Sequence, residues 1–210
     1  TTLTEEENGI NKLIDDKFRL KKELLQTLLE NKQLFSLDWP IDGADIPPFT
    51  ITIELNGKLP KNRPYRLPVS QLQVVRDSVK DLLKDGIISP SSSQCANTVV
   101  LVKKEDSVIG YRMCLNFIAL NKITKDLCYP LPSIKHIVES FIGMKFFAKL
   151  DLKMAYAQVR IVPEHKYLTA FVTPDGLYEY NRMPFGLKNA APYFQQQLTE
   201  ILSRYIGVRC

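Results

Sequence analysis

The stretch FFAKLDLKMAYAQVRI (146–161) sets one carboxylate, Asp151, at the end of an apolar, strand-like run, with Tyr156 five residues on. A carboxylate at a strand end can hold a divalent cation. Mg²⁺ takes one or two protein carboxylates and completes its shell with water and phosphate oxygens. A lone Asp in such a place also forms turns. Residue type and spacing leave both readings open, the turn being the commoner. If 153–158 turns helical, Tyr156 stands roughly one and a half turns from Asp151. Its ring then either packs beneath a sugar or joins the core. Lys103, Lys104 and Arg112 flank a predicted hairpin tip. Arg can grip phosphate oxygens bidentately and Lys supplies a point charge, although such side chains also serve simply to solvate a hairpin. In MPFGLKN (183–189), Phe185 and Gly186 form a turn in which glycine lets backbone approach a ligand closely. The same turn also serves as a plain connector.

Periodicity predicts the elements that must position these residues. Ile10, Leu13, Ile14, Leu20, Leu24, Leu25, Leu28 and Leu29 recur at three- and four-residue steps, so 4–35 is expected to be helical. FTITIEL (49–55) alternates like a strand and ends at Asn56-Gly57. KLPKNRPYRLP (58–68) is basic and Pro-rich and cannot be helix. It reads first as a solvated linker and second as an arm lying along phosphates. Residues 70–86 are the clearest helix, capped by Ser70, with Leu72, Val75, Val79, Leu82 and Leu83 on one face and Gly86 at its end. TVVLVKK (98–104) and YRMCLNF (111–117) form a hairpin, followed by a short helix over 133–142. LTAFVT (168–173) and LYEYN (177–181) form a second hairpin through Pro174-Asp175-Gly176. A last helix carries Ala190, Phe194, Leu198, Ile201, Leu202 and Tyr205 on one side. Helices and antiparallel hairpins in this order predict an α+β fold.

Composition narrows the function classes. The 210 residues are 45% hydrophobic and 24% charged, as in an ordinary globular protein. The net charge of +5 is uneven: residues 1–50 hold 6 Lys/Arg against 10 Asp/Glu, and 51–210 hold 22 against 13. An acidic leader before a basic body suggests that the body meets polyanions. No apolar run approaches 18 residues, so no membrane span is expected. TTLTEEENGI has neither a basic n-region nor an apolar h-region, so no signal peptide is expected; it also lacks an initiator Met, as a piece of a longer chain would. Cys95, Cys114, Cys128 and Cys210 form no CxxC pair, and His136 and His165 lie near none of them, so no zinc site is expected. A reducing, intracellular setting follows as the default.

Taken in order, the segments become specific. GIISPSSS (86–93), VVLVKK (99–104), RMCLNFIALNKIT (112–124), YPLP (129–132), FFAKLDLKMAYAQVRI and LTAFVTPDGLYEYNRMPFGLKNAAPYFQ (168–195) appear in series. The series resembles the reverse transcriptase of Ty3/gypsy-type LTR retrotransposons over about residues 49–205. The resemblance implies a right-hand DNA/RNA polymerase fold, limited to the fingers and the N-terminal part of the palm. It implies residues 1–48 as an acidic helical leader and linker, and 49–210 as a partial reverse transcriptase domain. By that resemblance Asp151 is the first catalytic, Mg²⁺-binding aspartate. Tyr156 is the steric gate that favours dNTP over NTP. Lys103 or Lys104, with Arg112, holds the triphosphate, and Phe185 and Gly186 line the nucleotide and template site. The implied partners are an RNA or DNA template-primer and dNTP, and the reaction is in-line attack of a primer 3′-OH at two Mg²⁺ ions. An intracellular site, in cytoplasmic virus-like particles or the nucleus, is expected.

The departures from the family are specific too. The family's C-V-D-Y-R-x-L-N reads Cys114-Leu115-Asn116-Phe117-Ile118-Ala119-Leu120-Asn121, which removes one ion pair near the fingers. Met154-Ala155 replace a Ser-Gly pair, Ala157 replaces a His, and N-A-P-A becomes N-A-A-P at 189–192. The family's Y-x-D-D strand is expected just beyond the 210 residues, so this chain is expected to be a fragment that is inactive alone and holds Mg²⁺ weakly. Asp126, Glu164, Asp175 and Glu179 have no claim as substitute ligands. The alternative reading is a decayed or host-domesticated module that binds nucleic acid or protein without catalysis.

Overall fold

A computed structural model describes residues 14, 21–31, 45–54, 56–103 and 110–206. Two compact units divide the chain, Thr1–Trp39 and Pro40–Cys210. In the first, the predicted 4–35 helix is described only over α1, Lys21–Glu30, where Leu25, Leu28 and Leu29 share the less exposed side. Ile14 sits in a bend rather than in helix. The rest of that prediction lies outside the described residues.

The second unit is built on a five-stranded sheet. Its strands are β1 (Ile88–Pro90), β2 (Asn97–Lys103), β3 (Tyr111–Asn116), β4 (Phe171–Thr173) and β5 (Gly176–Tyr180), in the spatial order β1-β5-β4-β2-β3. β2 and β4 run parallel, and every other pair is antiparallel. Both predicted hairpins form, as β2–β3 and β4–β5.

The predicted 70–86 helix is α2, Val69–Lys84. Ser70 does not cap it. The chain enters at Pro68, whose extended backbone (φ −56°, ψ 153°) stands just outside the helix, and its carbonyl accepts from the Gln71 and Leu72 N–H groups. Ser70 therefore lies inside the first turn. The other end closes as a Schellman motif: Gly86 takes φ +66°, its N–H donates to Leu83 O, and the Ile87 N–H donates to Leu82 O. That reversal sends the chain straight into β1. Val75 and Val79 are the buried face of α2.

Two predicted strands are absent as strands. Of the predicted 49–55 strand, residues 49–54 form only isolated bridges, Phe49 with Ile161 and Ile53 with Thr124, and residue 55 lies outside the described residues. The alternation was a true signal of burial, because Phe49 and Ile51 lie in the core. No single neighbour runs alongside, so the hydrogen bonds are divided. Phe49 bonds residues 160 and 162, Thr52 and Glu54 bond residues 125 and 123, and the Ile51 N–H donates to His165 Nδ1. Residues 144–152, the apolar run before Asp151, carry no regular structure and pair with no strand of the sheet. A strand exists only against a partner, and among the described residues none lies beside this run. Its apolar side chains are left in solvent, with Leu150, and Ile142 just before the run, each 79% exposed. The intervening helix α4 (Ile134–Ser140) has no buried residue. The helix between β3 and that segment is α3, Ile118–Ile123.

The core instead gathers Phe49, Ile51, Phe117, Leu120, Val159, Ile161, Leu168, Met183, Leu187 and Ala190. The last helix, α5 (Ala190–Leu202), seats Ala190 in it and sets Tyr193 edge-on to Phe49 at 5.1 Å. Ile201, Leu202 and Tyr205, expected on its packed side, are exposed. Among the described residues no helix is long and apolar enough to cross a membrane.

The bare apolar strip should make the chain bind a hydrophobic dye such as ANS and self-associate. Replacing Ile142 and Leu150 together with Lys should raise the soluble concentration and leave the melting temperature within about a degree, since exposed substitutions shift stability by about 0.5 kcal/mol or less. A large fall in melting temperature would show that these side chains are packed. Cys95 is fully buried, and burial pushes its thiol up to about 11, against a smaller downward effect of Asn97. A raised thiol value means that its stabilising contribution is complete below the ordinary Cys range, near ~8.5. That contribution is lost as pH climbs through about 11. Alkylation mapped by mass spectrometry at neutral pH should label exposed Cys128 readily and Cys95 only after denaturation.

Candidate nucleotide and metal site

The site begins where the exposed run meets the core. Met154 takes a left-handed backbone (φ 48°, ψ 42°), and Ala155–Gln158 follow as a 3₁₀ turn. The Ala157 N–H donates to Met154 O at 2.8 Å, and Gln158 Nε2 donates to Lys153 O at 2.8 Å. From Val159 onward the chain is fixed: Val159 is fully buried, its carbonyl accepts from the Met183 N–H, and the Ile161 N–H donates to Asn181 O. This anchoring orients Tyr156. Its ring lies 4.9 Å from Phe185 and 5.5 Å from Phe194. Only Ala155–Gln158 turns helical, as a single 3₁₀ turn, because Met154 takes the left-handed backbone; Tyr156 joins both core and surface, half-buried against an exposed Phe185.

The turn carrying Phe185 and Gly186 is held by side chains distant in sequence. Asn121 Nδ2 donates to Gly186 O at 2.8 Å, and Asn121 Oδ1 accepts from the Lys188 N–H at 2.9 Å. Asn189 returns the clamp: its Oδ1 accepts from the Leu127 N–H and its Nδ2 donates to Lys125 O. Lys188 pairs with Asp126 at 2.7 Å. Gly186 sits at φ +91°, and a Cβ there would stand 3.5 Å from Phe117 Cδ2. Its left-handed backbone, more than the space, is what excludes other residues. Sequence reasoning did not single out Asn121. Its only local sign was an amide inside a short helix, where Asn is a poor helix former and seeks backbone partners.

The hairpin separates residues that the sequence had grouped. Cross-strand partners share a face, and neighbours along a strand alternate. Lys103 is opposite Tyr111, whereas Arg112 is opposite Val102. Lys103 and Arg112 therefore project from opposite faces of the ladder. Lys104 lies outside the described residues. At the far end of β3, Asn116 Oδ1 accepts from the Ile118 N–H, so the amide serves a local turn.

Asp151 is exposed and, among the described residues, its carboxylate has no hydrogen-bond or ion-pair partner. It is free to meet a cation, and one such carboxylate fits a single Mg²⁺ ion completed by water and phosphate. Among the described residues no three His, Cys, Asp or Glu side chains gather as a metal site. Asp126 is engaged by Lys188, Asp175 by Arg76 and Glu179 by Ser91. These residues do not by themselves fit a pair of ions.

The fold is that of a right-hand polymerase, in its fingers and the first part of its palm. Over 100% of this chain it matches the foamy viral protease-reverse transcriptase in complex with RNA/DNA hybrid, with TM-score 0.76, 20% identity and 29% of that chain covered. The Prototype Foamy Virus Protease-Reverse Transcriptase CSH mutant matches with TM-score 0.78, 23% identity and 28% of that chain covered. In sequence, residues 102–209 match the family described as "Reverse transcriptase (RNA-dependent DNA polymerase)". The chain belongs to the reverse transcriptase family, as a domain of a Ty3/gypsy-type retrotransposon Pol polyprotein. It is 34% identical to the Pol polyprotein of transposon gypsy of Drosophila melanogaster, over 91% of this chain and 19% of that protein. It is 38% identical to that of transposon opus of the same organism, over 90% and 19%. With the Tf2-3 polyprotein of Schizosaccharomyces pombe (strain 972 / ATCC 24843) the figures are 37% identity, 78% and 12%. The chain thus spans a fifth or less of the length of these relatives.

A left-handed backbone costs a side-chain-bearing residue about 1–2 kcal/mol, and Met154 is 42% exposed, with little packing to lose. Met154→Gly should therefore raise the melting temperature by about 1–3 °C after the entropy of the added glycine is counted. Met154→Val should lower it. A thermal melt decides, and a lower value for the glycine variant would mean that the Met side chain matters more than its backbone.

Proposed function

We propose that this chain supplies the fingers and the nucleotide-facing part of the palm of an RNA-directed DNA polymerase that extends a primer 3′-OH with dNTP on an RNA or DNA template. The observation that carries this reading is the contact of Tyr156 with Phe185 at 4.9 Å, which sets a phenol ring beside the exposed Gly186 turn. A ring held there has a face for a deoxyribose and no room for a 2′-OH. Gly186 lets a base or phosphate come close to backbone. Arg112 offers a bidentate grip on the triphosphate. Asp151 contributes one carboxylate to the metal centre, whose other ligands lie outside the described residues. Bound Mg²⁺ would stabilise the attacking and leaving oxygens. The foamy viral enzymes, described in complex with RNA/DNA hybrid and with ds DNA, support a template-primer as the partner.

The 210 residues alone should incorporate no dTTP on poly(rA)/oligo(dT) with Mg²⁺ or Mn²⁺. A chimera carrying them in place of the matching segment of the gypsy relative should incorporate it and stop on chelation. In that chimera Asp151→Asn should abolish incorporation. Tyr156→Ala should raise use of UTP relative to dTTP at least about tenfold, by loss of the steric discrimination. Arg112→Ala should raise the KM for dTTP more than Lys103→Ala. Undiminished incorporation by the Asp151→Asn chimera would end this reading. An inactive chimera that still binds nucleic acid would favour the non-catalytic module.

A further inference from the structure

The bare run before Met154 carries a strand pattern without a strand. Ala148, Leu150 and Leu152 alternate with Lys149, Asp151 and Lys153. Such an alternation gives a strand one apolar and one charged face. Among the described residues, however, the backbone of 147–152 makes no hydrogen bond, and every side chain of 147–152 is exposed. Lys149 and Asp151 have no ion pair among the described residues. The left-handed backbone of Met154 ends the run. At its start, Phe147 meets Phe141 edge-on at 5.2 Å, which joins the run to the exposed Ile134, Ile137 and Val138 of α4. One continuous apolar surface therefore borders a length of backbone whose N–H and C=O groups are unpaired.

Unpaired strand-like backbone is a template for another strand. The order of charges says which strand fits. Let two copies of the run lie antiparallel about a two-fold axis at Leu150. Leu150 then stands opposite Leu150, Ala148 opposite Leu152, and Lys149 opposite Asp151 on both sides of the axis. Apolar residues meet only apolar residues, and each of the two charged pairs is of opposite sign. Sliding one copy by two residues sets Lys149 against Lys149 or Asp151 against Asp151, which is destabilising. Sliding by one sets the apolar face against the charged one. A parallel, in-register alignment also opposes like charges. The run is thus complementary to itself in one register, as a two-fold interface requires. A two-stranded ribbon is marginal by itself, and burial of the adjoining apolar side chains adds to it.

We propose that residues 148–152 pair antiparallel with the same residues of a second copy of this chain, about a two-fold axis at Leu150. The pairing needs no metal, dNTP or template, so its failure and that of the polymerase reading are separable. Sedimentation velocity of the 210-residue chain across a wide concentration range should show a monomer–dimer equilibrium. Lys149→Asp and Asp151→Lys should each weaken the dimer about 2- to 30-fold, the size of two lost cross-strand pairs. Both changes in one chain should restore it to within about twofold, because the charges are again complementary. In a background of Cys128→Ser and Cys210→Ser, Leu150→Cys should form a disulfide between copies on oxidation, mapped at residue 150 by mass spectrometry. Opposite Cα atoms in such a ladder lie about 4.5–5.5 Å apart, within disulfide reach. Ala148→Cys should not crosslink, since its counterpart is displaced by four residues, roughly 13 Å. A monomer at every concentration, or larger aggregates without a dimer, would overturn the proposal. So would a double charge variant no tighter than the single ones, or crosslinking through Ala148→Cys as readily as through Leu150→Cys. A chain continued past Cys210 with the corresponding sequence of the gypsy relative, if it stays monomeric, would give the run to that continuation and would also overturn the proposal.

Discussion

Residues 159–162 are bonded along both edges. On one side the Met183 N–H donates to Val159 O and the Ile161 N–H to Asn181 O; on the other the Phe49 N–H donates to Arg160 O and the Val162 N–H to Phe49 O. Val159 and Ile161 are the apolar face of the same run, almost wholly buried. Buried backbone groups must find partners, and this run joins the 49–53 strap, the end of β5 and the aromatic core. It also marks a boundary. Val159 and Ile161 enter the core, while the side chains of 144–154 are exposed. Tyr156 sits on that boundary, and its orientation follows from the bonds just downstream of it.

The sheet relies on a buried amide in a similar way. Asn97 is fully buried at the start of β2, and its Nδ2 donates to Leu168 O and Ala170 O at 3.0 and 2.8 Å. These bonds adjoin the Asn97–Phe171 pairing that begins the parallel β2–β4 contact. Parallel pairing comes with no hairpin turn to set its register, so a side chain bonded across the interface sets it instead. The Arg76–Asp175 pair makes another long-range link, with two hydrogen bonds from α2 to the β4–β5 turn. Those bonds hold the Asp175 carboxyl below its ordinary value. Both groups are open to solvent, so the pair contributes placement more than stability.

The Asn121 and Asn189 clamps show how the site gains its shape. Each spans more than sixty residues of chain and bonds backbone on the opposite segment. Together they hold the Gly186 turn against α3 and the loop after it, so that Phe185 meets Tyr156. In the proposed reading, the place where sugar and phosphate would sit thus rests on two neutral amides that touch no substrate.

How much was legible beforehand varied with the kind of interaction. The α2 helix, its stop at Gly86 and both hairpins were readable, because period, glycine and proline act within a few residues. The order of motifs along the chain was readable too, and it pointed to the family. Pairing was not readable. Alternation at 49–55 and apolar content before Asp151 report a preference for burial, but a strand also needs a neighbour, which the local sequence does not name. The opposite faces of Lys103 and Arg112 depend on a register counted across the hairpin, and the Asn121 clamp on a fold that brings residues 121 and 186 together. Sequence alone determined the locally signalled helix, turns and hairpins and which residues are chemically capable. Tertiary structure decided which of them meet, because hydrogen-bond partners far apart in the chain are chosen only when the core closes around them.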